Sequence, residues 1–144
     1  MREHPFTADQ VQSVIVRVAT SEAKTVNNRN MPDISLQHMI AVMLVDKTVT
    51  FRSAHDEARM HDPAVLREQQ KVQLVPDEEL EKLYPKRVTV MEVMLKDGTS
   101  LTQRVSAVRG TAENPMSREE VIEKCRDLMT PFIGSTTCSR LIDT

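Results

Sequence analysis

In the run "VQSVIVRVAT" (11–20), Val14, Val16 and Val18 alternate with Ile15 and Arg17. This period of two predicts a strand with at least one buried face. The mostly polar stretch "SEAKTVNNRNMP" reads as a loop ending at Pro32. "DISLQHMIAVMLVDK" (33–47) changes the period: Ile34, Leu36, Met39, Ile40, Met43 and Leu44 fall at helical spacing. Ala41, Val42 and Val45 carry the apolar surface around most of the circumference, so the predicted helix is buried on nearly every side. Asp33 or Ser35 is its expected N-cap.

Two short helices are predicted in "TFRSAHDEARMHDPAVLREQQ", the second capped by Asp62 with Pro63 at its first position. "KVQLVPD" reads as a short strand and "EELEKLYP" as a charged connection. "RVTVMEVMLKDGTSLTQRVSAV" is two strand-like runs joined at Asp97-Gly98, a dipeptide that tolerates the positive φ of a tight hairpin. A last helix follows, entered through a capping box of Ser117 and Glu120. Its apolar stripe is Val121, Cys125, Leu128, Met129 and Phe132, with Gly134 as the expected stop. The order strand, helices, strand, hairpin, helix predicts a single α+β domain over 1–144, with a mostly antiparallel sheet and helices packed on one face.

Composition narrows the partners. Aromatic residues are only 3% of the chain, so its nine Met and many Val residues must supply core volume, and a base-stacking surface is not expected. With 19 basic residues spread against 21 acidic ones, no concentrated basic face is expected either, which argues against nucleic acid as a partner. The opening "MREHPFTADQ" has no apolar run, and the longest such run (39–45) falls far short of the ~20 residues that span a bilayer. The expectation is a cytoplasmic protein with no membrane partner.

Few residues suggest chemistry. His55-Asp56 and His61-Asp62 stand six positions apart, a poor fit to one helical face, so no metal is expected there. Gly110 lacks the glycine spacing of a phosphate cradle. Cys125 is expected to be an inert core thiol, and Cys138, in a loose tail, the more reactive of the two. His38 is the strongest candidate. An imidazole neutral near pH 7 suits proton transfer, yet no Ser-His-Asp or Cys-His constellation can be assembled around it.

Taken together, five features resemble the carboxy-terminal domain of the MmgE/PrpD family over roughly residues 10–133. They are Arg29 with Pro32, the apolar helix opening at Ser35–His38, Asp62–Val65, the Asp97-Gly98 hairpin, and Gly110 with Asn114-Pro115 before the last helix. The resemblance implies a lyase, dehydratase or isomerase acting without a metal or other cofactor on a small polycarboxylic acid such as 2-methylcitrate. It also implies that most of the active site belongs to an amino-terminal helical domain absent from this chain, and that the enzyme is a homodimer. Where many members read Gln-Tyr at the substrate pocket, this chain reads Gln37-His38. By that correspondence His38 is the expected catalytic group and Gln37 the expected substrate contact, and the segment alone is expected to be inactive. A free-standing, non-catalytic α+β binding or scaffolding module is the competing expectation.

Overall fold

A computed structural model describes residues 5–143. The chain divides into two compact units, Met1–Ser106 and Ala107–Thr144.

The first unit is built on a four-stranded sheet in the order β2-β1-β3-β4. Its strands are β1 (Val11–Ala19), β2 (Val72–Asp77), β3 (Thr89–Leu95) and β4 (Ser100–Val105). The sheet is mixed, which corrects the mostly antiparallel expectation. β1 pairs parallel with β2 (Val14 opposite Val72, Val18 opposite Pro76) and antiparallel with β3 (Val14 opposite Val93). Parallel neighbours need a long crossover, and the four helices between β1 and β2 supply it. The fold remains α+β.

β1 is central, which explains its valine content. Val14, Val16 and Val18 are buried on one face with Val72, Val93 and Leu95 of its neighbours. On the other face Arg17 pairs with Glu92 of β3 at 3.5 Å. The hairpin from β3 to β4 turns at Gly98, whose φ is 87°, and the Asp97 carboxylate accepts the Thr99 N–H at 2.8 Å. A Cβ at Gly98 would meet nothing within 4 Å, so only backbone strain opposes a side chain there. Gly98→Ala should therefore destabilise the chain by about 1 kcal/mol in urea unfolding; a cost near zero would contradict the strained-turn assignment.

The crossover carries α1 (Thr20–Val26), α2 (Leu36–Asp46), α3 (Phe51–Ala54) and α4 (Pro63–Gln69). α1 falls where the sequence predicts a loop. It has a single buried residue, Ala23, so it leaves almost no apolar periodicity to read. α2 is the expected apolar helix, with Ser35 at its N-cap and Lys47 (φ 61°) ending it. Its circumference divides into two faces rather than being buried all round. Ala41 and Val42 pack with Val65 of α4, while Leu36, Ile40 and Leu44 turn to the sheet. α4 starts as the sequence predicts, with Asp62 Oδ1 accepting from Ala64 N at 2.8 Å and Pro63 in the first turn. α5 (Glu78–Glu81) caps itself with Asp77 after β2.

The second unit is dominated by α6 (Arg118–Ile142), entered through the expected Ser117–Glu120 capping box. At Gly134 the backbone leaves helical geometry (φ 76°, ψ 158°), then helix resumes. That resumption reverses the expectation for the thiols: Cys138 is buried and Cys125 is only half-buried. The stripe on α6 is more open than expected, with Val121 exposed and Phe132 80% exposed.

Candidate functional site at the α2–α4 seam

His38 lies in the first turn of α2, one helical turn before Val42 and two before Val45. These residues share the face that meets Val65, and α4 is the element most closely packed on α2. His38 is 0% exposed, and neither Nδ1 nor Nε2 has a hydrogen-bond partner among the described residues. Ser35 Oγ, one turn earlier, is buried in the same condition, even though Ser35 occupies the N-cap position. Buried polar atoms are paired in nearly every protein, and each unpaired one costs about 1–3 kcal/mol. Three such atoms within one helical turn mark this as a place where structure alone does not explain the residue types.

Burial is the first cause acting on the imidazole, and the Arg59 guanidinium the second; both hold its pKa below the ordinary 6.5. The neutral ring is therefore favoured in the folded chain. The unfolded chain takes up the proton at higher pH than the folded one does, so stability should fall as pH drops from neutral through and below 6.5. His38→Gln should flatten that slope in urea titrations at several pH values; an unchanged slope would show that another group controls it.

Gln37 sits on the flank of the same turn and is buried. Its Oε1 accepts the Asn28 N–H at 2.9 Å and its Nε2 donates to Asn27 Oδ1 at 2.6 Å. Asn28 has φ 42°, an unfavourable angle for a side-chain-bearing residue, and Gln37 holds the loop in that shape. One Nε2 hydrogen and one Oε1 lone pair are left for another partner.

Two charged clusters border the seam, and the sequence reading passed over both. Arg59, in a short 3-10 turn (Glu57–His61), donates to Asp46 at the end of α2 and to Asp62 at the start of α4, each at 2.5 Å. Glu68 on α4 is 2% exposed and bonds Lys71 Nζ at 2.7 Å, with Arg67 Nε at 3.4 Å. The expected surface histidines are exposed: His55 contacts Phe51 O at 2.8 Å, and His61 is solvent-facing. Among the described residues no three His, Cys, Asp or Glu side chains gather where they could hold a metal ion.

On the opposite face of α2 lies a cavity of about 770 Å³ between that helix and the sheet. Met39, Met43, Val49, Met91 and Leu101 give it apolar walls, and Ser100, Thr102 and Gln103 of the edge strand β4 give it polar ones. His38 and Gln37 do not line it.

An apolar helix opening on Gln37-His38, the capped Asp62-Pro63 helix and the Asp97-Gly98 hairpin thus stand in the order that the resemblance requires. The chain matches the MmgE/PrpD C-terminal domain across residues 1–144. It belongs to the MmgE/PrpD family. It is also 25% identical over 143 residues to a cis-aconitate decarboxylase from Mus musculus, an alignment covering 95% of this chain and 28% of that protein. The MmgE/PrpD chain described here therefore spans under a third of the relative's length. No helix among its described residues is long and apolar enough to cross a membrane.

Proposed function

We propose that this segment forms one wall of the active site of an MmgE/PrpD-type lyase, dehydratase or isomerase that acts on a small polycarboxylic acid. 2-Methylcitrate and cis-aconitate are the substrate types to test first. The mouse relative, a cis-aconitate decarboxylase, supports an acid of this kind. In this reading His38 is the proton-transferring group and Gln37 a substrate contact through its remaining hydrogen and lone pair. The rest of the acid–base machinery lies on an amino-terminal helical domain of the complete enzyme, which works as a homodimer in the cytoplasm and needs no cofactor.

One observation carries the proposal. His38 is an imidazole with two unpartnered ring nitrogens, kept neutral by burial and a nearby cation, at the N-terminal turn of a helix. A neutral imidazole can accept a proton at pH 7, and one with both ring nitrogens unpaired has no internal hydrogen bond to break before it bonds a reacting group. The cavity on the other side of α2, with apolar walls and a polar edge at β4, is a second surface that a further domain of the enzyme could close.

Residues 1–144 alone should turn over neither acid. A single positioned histidine lacks the partners that supply most of a rate enhancement. Product formation at an enzymatic rate by the isolated segment would overturn the proposal.

A further inference from the structure

We propose that Arg59 is the positioning residue of this site: it clamps the end of α2 to the start of α4, and so fixes the seam that encloses His38. The inference rests on the reading of His38 given above.

Nη2 reaches Asp46 Oδ1 and Nη1 reaches Asp62 Oδ2. The two carboxylates belong to different helices, and a planar guanidinium can bond both at once where an ammonium on a flexible stem cannot hold the same geometry. All three side chains are partly buried, at 24%, 32% and 29% exposure, so the pairs are shielded from full solvent screening. The choice of residues also fits. Asp46 is the last residue of α2, where the helix dipole disfavours an anion, and the Arg59 cation offsets that cost. Asp62 serves twice, with Oδ1 capping α4 and Oδ2 on Arg59.

Arg59 is also the charge that acts on His38. The other charged groups on the elements packed against α2 are engaged elsewhere or exposed. Glu68 is held by Lys71 and Arg67, Asp77 caps α5, and Asp33 of the turn before α2 is exposed. No carboxylate is bonded to the imidazole among the described residues. The side chain that forms the clamp therefore also adds to the effect of burial in favouring the neutral ring.

Histidine-ring NMR titration of residues 1–144, with thermal melts of the same samples, separates the clamp from the charge. In the wild type the His38 ring should titrate below the ordinary 6.5. Arg59→Met should lower the melting temperature and move the His38 midpoint upward. Arg59→Lys should also lower the melting temperature, since the fork is lost, but leave the midpoint low, since the charge remains. Asp46→Asn should lower the melt and move the midpoint further down, because Arg59 loses a compensating anion. An Arg59→Met midpoint equal to wild type would overturn the inference, and so would an Arg59→Lys midpoint that rises as far as that of Met. If Arg59→Met does not fold, an upward shift in Asp46→Asn is the overturning result. None of these readouts uses turnover. If His38 proves dispensable for catalysis, the functional reading fails while the titrations stand; if the titrations fail, the kinetics of His38 variants are untouched.

Discussion

On the proposed function, His38→Asn in an MmgE/PrpD polypeptide that includes residues 1–144 should lower kcat by about 10²–10⁴-fold, the usual contribution of a positioned acid–base group. Asparagine keeps a hydrogen-bonding side chain of similar reach but cannot exchange a proton near pH 7. A loss in kcat with KM little changed would mean that the imidazole acts in the transition state, whereas a rise in KM alone would assign it to substrate binding. The pH profile supplies a second check. The limb that depends on a neutral His38 should lie below the usual histidine value, since burial and Arg59 both lower its pKa, and should disappear in the Asn variant. An Asn variant with wild-type kcat and an unchanged profile would leave the residue a core histidine.

The largest stability effect is expected at Lys71. Its Nζ sits 2.7 Å from the Glu68 carboxylate and 3.1 Å from the Ala8 carbonyl, bringing α4 to the segment before β1. Glu68 is 2% exposed, and its second partner, Arg67, has a side chain that is 71% exposed at 3.4 Å. An exposed, long ion pair contributes little, so Lys71 provides most of the compensation for a buried anion. Lys71→Met should destabilise the chain by about 3 kcal/mol in urea unfolding, the low end of the cost of orphaning a buried charge. The double variant Glu68→Leu/Lys71→Met should recover to within about 1 kcal/mol of wild type, because it removes the anion together with its partner. If the single variant were as stable as wild type, Glu68 would not be a buried charge needing Lys71.

Local chemistry made part of the fold legible in the sequence. Asp62-Pro63, Asp97-Gly98 and the Ser117–Glu120 box each fix a boundary through bonds within a few residues, and each is found in place. The valine alternation in β1 announces a strand, but neither the pattern nor the composition says which strand lies beside it or in which direction. The parallel β1–β2 pairing depends on how four helices fold back, so the sheet was misjudged there. α1 was missed because a helix with one buried alanine has little apolar signal. Cys138 was misplaced because Gly134 reads as an end, whereas helix resumes beyond it.

The candidate site was half legible. His38 stood out as a lone imidazole in an apolar helix, and the family pattern pointed to the same position. Its unpartnered nitrogens are a property of packing that no spacing encodes. Arg59 was invisible for a related reason. "DEARMHDP" reads as a solvated charged surface, and only the fold brings Asp46, thirteen residues earlier, against the same guanidinium.

The most direct test of the central claim is the rate of product formation from 2-methylcitrate and cis-aconitate, compared between residues 1–144 and the same segment within a complete MmgE/PrpD polypeptide. The account predicts turnover of at least one of these acids by the complete polypeptide and none by the segment. Equal turnover by the segment alone, or none by the complete polypeptide on either acid, would contradict it.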